Sequence, residues 1–359
     1  MLWCGKDETS MIFDRKGASC MSQSVLQDAA YSVLNLSSVT EGGTIKESFE
    51  HSMDLAKKAE KWGYHRYWLA EHHNMEGVAS SATSVLIGYI AGGTEKIRVG
   101  SGGIMLPNHS SLVIAEQFGT LGTLYPGRID LGLGRAPGTD QLTARALRRN
   151  LHQGEDFPEQ LEELRQYFKP TGQVKKHVRA VPGEGLNIPI WLLGSSGFSA
   201  RLAGELGLPF AFAAHFSPKN TIPALELYRQ SFRPSDVLKE PYTMVGVTVF
   251  AADQTERAEY LATSHYQRFL SLIRNTPGKL KAPVESMDGL WSPYEKAMVD
   301  EQLSSTMIGD KQKVKKELEA FIEATQADEV MINSDMFDHQ ERMRSYEIIA
   351  EIFQEEQEN

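Results

Sequence analysis

The residues best placed to do chemistry stand together at Glu71-His72-His73, directly after a β-rich run at 64–70. Imidazole titrates near neutral pH unaided, so a histidine at a strand end suits general acid or base work. Neighbouring side chains on extended backbone point to opposite sides, so only one of the two rings faces a common site. The pair is therefore a poor bidentate metal ligand. No His-x-His, HExxH or cysteine cluster supplies further ligands, and the sequence assigns no metal site. Taken singly, either ring is explained equally well by a hydrogen bond under a loop.

Three other stretches carry chemistry. Ser101-Gly102-Gly103 leaves a surface without side chains, against which a flat ligand or simply a tight bend would fit. The run 131–138 has the spacing G-x-G-x-x-x-G with Pro137 inside it, which is not the dinucleotide fingerprint. What it offers is Arg135, a guanidinium suited to bidentate phosphate binding or to a surface ion pair. Gly194-Ser195-Ser196-Gly197-Phe198-Ser199 joins a strand to a helix. Serine hydroxyls and free N–H groups there suit an anion, or an ordinary N-cap.

These stretches need elements to position them, and the chain alternates β-rich and helical runs from Tyr31 onward. Strands are expected at 31–36, 64–70, 97–105, 129–134, 188–193, 210–214, 242–250 and 329–333, each followed by a helix. That order predicts a parallel sheet closed as a (β/α)8 barrel, with insertions after strands 4 and 7. Thr44 and Glu47 form a capping box, Gly63 stops the helix they start, and Asp310 caps another. Two connections, about 169–187 and 275–306, exceed ordinary loop lengths. The second carries Met287, Leu290, Trp291 and Tyr294, enough apolar surface for a lid.

The 359 residues, 41% hydrophobic and 23% charged, can bury a sizeable core without disulfides. A formal net charge of −10 argues against nucleic-acid or anionic-membrane partners, and no apolar run is long enough to span a bilayer. Cys4 and Cys20 both lie near the start, so a reducing cytoplasm is expected. Residues 1–28 show no periodicity and no secretory-signal pattern. They read as an extension, disordered or added in cloning, before a barrel domain at 29–359.

In order and spacing, Trp68-Leu-Ala-Glu-His-His73, Val99-Gly-Ser-Gly-Gly103, Leu106-Pro-Asn-His109, Tyr125-Pro-Gly-Arg-Ile-Asp130, Gly132 to Gly138 and Gly207-Leu-Pro209 resemble the bacterial luciferase-like flavin monooxygenases. The resemblance runs from about residue 31 to 355. It implies reduced FMN, supplied by a separate NAD(P)H-dependent flavin reductase, and O2 as co-substrate for oxygenating a small organic molecule. It makes His72 the catalytic histidine, with Glu71 and His73 as supports. It also implies a non-proline cis peptide at Gly102-Gly103 under the flavin ring, and phosphate contacts from Arg135, Ser195, Ser196 and Ser199. The family's mobile loop falls at 275–306, and family members dimerise through helices near 79–92. Gly134 replaces the reactive cysteine of the luciferases, so no thiol chemistry is expected there, and Ser195 replaces an acidic residue of the light-emitting enzymes. Nothing supports a long-chain aldehyde substrate, and light emission is not expected. The alternatives are hydride transfer with the deazaflavin F420 and a flavin-binding protein without catalysis.

Overall fold

The computed structural model describes residues 24–136, 138–147, 156–170 and 178–358. Eight parallel strands form the barrel: β1 (Ala30–Asn35), β2 (Arg66–Leu69), β3 (Arg98–Ser101), β4 (Ile129–Gly134), β5 (Ile190–Gly194), β6 (Phe210–Ala213), β7 (Thr243–Ala251) and β8 (Glu329–Asn333). Val330 pairs with Tyr31 on one side and with Val245 on the other, which closes the sheet on itself. The strands are buried on both faces, as a parallel sheet covered by helices requires.

Local signals in the sequence act where they were read. Thr44 and Glu47 make the reciprocal capping box at the start of Ile45–Lys61, and Gly63 has φ +80° just beyond it. Asp310 accepts from the Gln312 and Lys313 N–H groups at the start of Lys311–Thr325. The third strand is shorter than expected. It ends at Ser101, and pairing with β4 resumes at Ile104–Met105 after a cis peptide between Gly102 and Gly103. The Ser101 hydroxyl donates to the Gly132 carbonyl and accepts its N–H, fastening the break to β4.

The strand starts are tied together by a buried ion layer. Arg66 is fully buried; its Nη1 donates to Asp130 at 2.7 Å and its Nε to Glu329 at 3.0 Å. Arg98 Nε donates to Asp130 at 3.1 Å, Trp68 Nε1 to the same carboxylate at 3.2 Å, and Tyr242 to Glu329 at 3.2 Å. Burial alone would raise the Asp130 pKa, but Arg66 and Arg98 hold it well below the usual carboxylate range. An apolar layer of Leu34, Trp68, Trp191, Met244 and Met331 lies over these ions, and all of it except Trp191 lines the cavity at the barrel mouth.

Three expectations need correction. The fold begins before residue 29, because Ser24 accepts from the Leu26 N–H in a short helix, Val25–Asp28, whose Leu26 is buried in the main core. The rest of the extension, and residues 171–177 of the first long connection, lie outside the described residues. The connection 275–306 is not structureless, and none of its residues lines the cavity at the barrel mouth. Leu280 pairs with Val39 and Glu41, while Ser292 and Glu295 make a capping box for a helix at Pro293–Gln302. Met287 and Val299 are buried, and Trp291 packs on Tyr266 of the helix Thr255–Ile273. The segment therefore packs on that helix, while Leu290 and Tyr294 stay exposed. The small-residue helix starts at Thr83, not at residue 79.

Replacing Arg66 with Met leaves buried Glu329 without an ionic partner and Asp130 with Arg98 alone. The unfolding free energy is expected to fall by about 3–5 kcal/mol, read from the denaturant midpoint. A loss under about 1 kcal/mol would show that the layer does not depend on Arg66.

Candidate active site

A cavity of about 570 Å3 opens at the carboxyl ends of the strands, where βα loops converge. His72, first after Glu71 beyond β2, turns its ring into this space. Burial first, and then the positive charge of Arg268, hold His72 below the ordinary imidazole range. A neutral ring beside a cavity can accept a proton. His73 turns the other way, as alternation on an extended segment requires, and its Nε2 lies 2.9 Å from Glu71 Oε1.

Arg135 follows β4 and Ser195, Ser196 and Ser199 follow β5, so adjacent strands bring all four to one end of the cavity. Ser196 is the N-cap of Gly197–Leu206, yet its side chain makes no capping bond. The hydroxyl and the first helical N–H groups thus point to an anion more than to a self-contained cap. The Arg135 guanidinium is held 4.2 Å over the Phe198 ring of the same loop. Of the glycine pair, Gly102 lines the cavity and Gly103 does not. Gly103 packs on β4, where a Cβ would come within 2.8 Å of the Gly132 carbonyl.

Several residues of the mouth were not foreseen. His215 follows β6 and Asp335 follows β8, at the same kind of strand end that singled out His72. His265, Arg268, Phe269 and Leu272 recur at spacings of three and four on the helix after β7, and that stripe faces the cavity. Burial pushes His215 down to about 4 and His265 down to about 3, so both are neutral at physiological pH.

The described geometry can be set beside known proteins. Residues 30–329 match the family model for luciferase-like monooxygenase. The chain belongs to that family. The Bacillus subtilis protein YvbT is 76% identical over 333 residues, covering 93% of this chain and 99% of its own. The luciferase-like monooxygenase of Escherichia coli K12 is 54% identical, covering 91% and 97%. The crystal structure of apo-MsnO8 is 33% identical with a TM-score of 0.81, covering 91% and 98%. As a luciferase-like monooxygenase the chain is an oxidoreductase. No helix among its described residues is long and apolar enough to cross a membrane.

The fold also brings to Glu71 and His73 a third ligand-type side chain, which no sequence motif announces. His109 joins them, and one ligand atom from each lies within 4.8 Å of the others. The Glu71 carboxylate is already engaged: it accepts from His73 and His109 Nε2, from Asn108 Nδ2 at 3.1 Å and from the Met105 N–H at 3.0 Å. Glu71 thus ties the loop bearing His72 to the segment after the cis peptide. Burial would raise its pKa, but the bonds from His109 and His73 lower it to about 2. With an ordinary value of 4.5, its stabilisation is present in full above that pH and is lost as pH falls through about 2. Glu71→Gln is expected to cost about 2–3 kcal/mol at neutral pH. Its denaturant midpoint should approach that of the natural protein below pH 4.5, and a difference unchanged from pH 7 to pH 3 would contradict this role.

Proposed function

We propose that the chain is the oxygenase of a two-component system in the cytoplasm. It would use reduced FMN, delivered by a separate NAD(P)H-dependent flavin reductase, and O2 to oxygenate a small organic substrate. One observation carries the reading: a single cavity unites the His72 ring, an apolar floor and the Arg135–serine end. Arg135, Ser196 and Ser199 offer the donors a phosphate dianion needs, at a helix N-terminus of favourable polarity. Leu34, Trp68, Leu193 and Met244 offer a flat apolar bed, and Gly102 leaves its edge unobstructed. Reduced flavin would supply two electrons to O2, one oxygen atom entering the substrate and the other leaving as water.

The protein's part is to bind, exclude water and handle protons. His72 would take a proton at a ring nitrogen, a role its depressed pKa keeps open near pH 7. Ser195 lines the same end without an assigned bond and completes the proposed phosphate shell. FMN titration in both redox states, followed by O2 uptake with reduced FMN, tests the reading. His72→Ala should keep FMN affinity within about twofold while oxygenation falls by about 10²–10⁴-fold. No flavin affinity in either redox state would sink the proposal.

A homodimer forms part of the same proposal. Val85 and Tyr89 are exposed one turn apart on Thr83–Gly92, and Val113 is exposed on the neighbouring helix Ser111–Leu124. Light scattering should give twice the mass of one chain, and Tyr89→Glu should halve it. A monomer before substitution would refute this arrangement.

A further inference from the structure

The corner of the cavity formed by β7, β8 and the helix between them has chemistry that the flavin reading does not use. Arg268 donates through Nη1 to Asp335 and to Ser38 Oγ at 3.2 Å. Among the described residues its Nε and Nη2 make no hydrogen bond, and the side chain lines the cavity with 14% of its surface exposed. Asp335 is flanked by Arg268 and Arg342, two guanidiniums to one carboxylate. Arg342 is committed elsewhere, to the Ser334 carbonyl and Asn35 Oδ1, and leaves the mouth to Arg268.

His265 stands in the same corner. It is 5% exposed, wedged between Phe250 and Phe269, and among the described residues neither ring nitrogen has a partner. A buried imidazole carries one donor and one acceptor, and groups left unpaired in this way mark a missing partner. Position separates this corner from the phosphate end. In the closed ring β8 lies opposite β4, so Arg268 and Arg135 sit across the mouth from each other. An anion at Arg268 is therefore not the cofactor's phosphate.

We propose that the substrate is a small organic acid, whose carboxylate lies on the open edge of Arg268 and accepts a ring N–H from His265. The planar guanidinium fork matches a carboxylate, and the apolar side chains around it strengthen the pairing. Leu36, Met75, Phe269 and Leu272 offer apolar contact for the rest of the molecule. Arg268 and His72 line the same cavity, so the anchored acid shares it with the ring proposed to handle the proton. The inference rests on the oxygenase reading for the word substrate, but the acid site itself can be measured without turnover.

Hexanoate, hexan-1-ol and hexylamine are titrated by calorimetry into the full chain, with and without FMN, at fixed ionic strength. Hexanoate is expected to bind at least about tenfold more tightly than hexan-1-ol, and hexylamine most weakly. Arg268→Met should remove the preference and His265→Phe should reduce it, while FMN affinity stays unchanged in both. The comparison on the natural chain decides the matter even where Arg268→Met fails to fold. Equal binding of hexanoate and hexan-1-ol, binding of neither, or a preference surviving in Arg268→Met overturns the proposal. Loss of the oxygenase reading would show separately, as absent FMN binding beside an intact acid preference.

Discussion

The barrel depends on the ion layer that closes its strand starts. Arg66, Arg98, Asp130 and Glu329 come from β2, β3, β4 and β8, and each meets its ion partners only when the others are in register. A slip of one residue along any of these strands would turn a buried charge to the outer face and leave its partner unpaired. Such an error is costly because an uncompensated buried charge loses its hydration and gains nothing. The layer therefore specifies how the strands line up, beyond whatever stability it adds.

That registration has a direct consequence for the mouth. Once the strand starts are fixed, short strands of known length bring their far ends to a common level. His72, Arg135, Ser195, His215 and Asp335 each stand within a few residues of a strand end, which is why side chains 263 residues apart in the chain share one cavity. Beneath the mouth, the paired tryptophans Trp68 and Trp191, edge to face at 5.3 Å, separate the ions from the cavity. The mouth thereby combines an apolar bed with neutral histidines and two guanidiniums at opposite sides.

Much of the architecture was legible because its signals are local. The capping box at Thr44 and Glu47, the left-handed Gly63 and the Asp310 cap act within a few residues, and the alternation of strand and helix needs only chain order. The helix at Pro293–Gln302 was missed although Ser292-Pro-Tyr-Glu295 is the same kind of box. There the length of the connection outweighed a short signal inside it. The burial of Leu26 was not legible, because four residues show no periodicity and gain their helix by packing.

By itself the sequence determined the barrel, its family resemblance and the candidates at the strand ends, since strand-end placement follows from topology alone. Only the tertiary structure decided which of them meet. It sent His72 to the cavity and His73 to Glu71, joined His109 to that pair, and kept Gly102 at the mouth while Gly103 packed inward. It also brought His265 and Arg268 over the opening from a helix that, in sequence, is only an amphipathic stripe. The reason is physical: a helix face records that it is buried, but not what it is buried against.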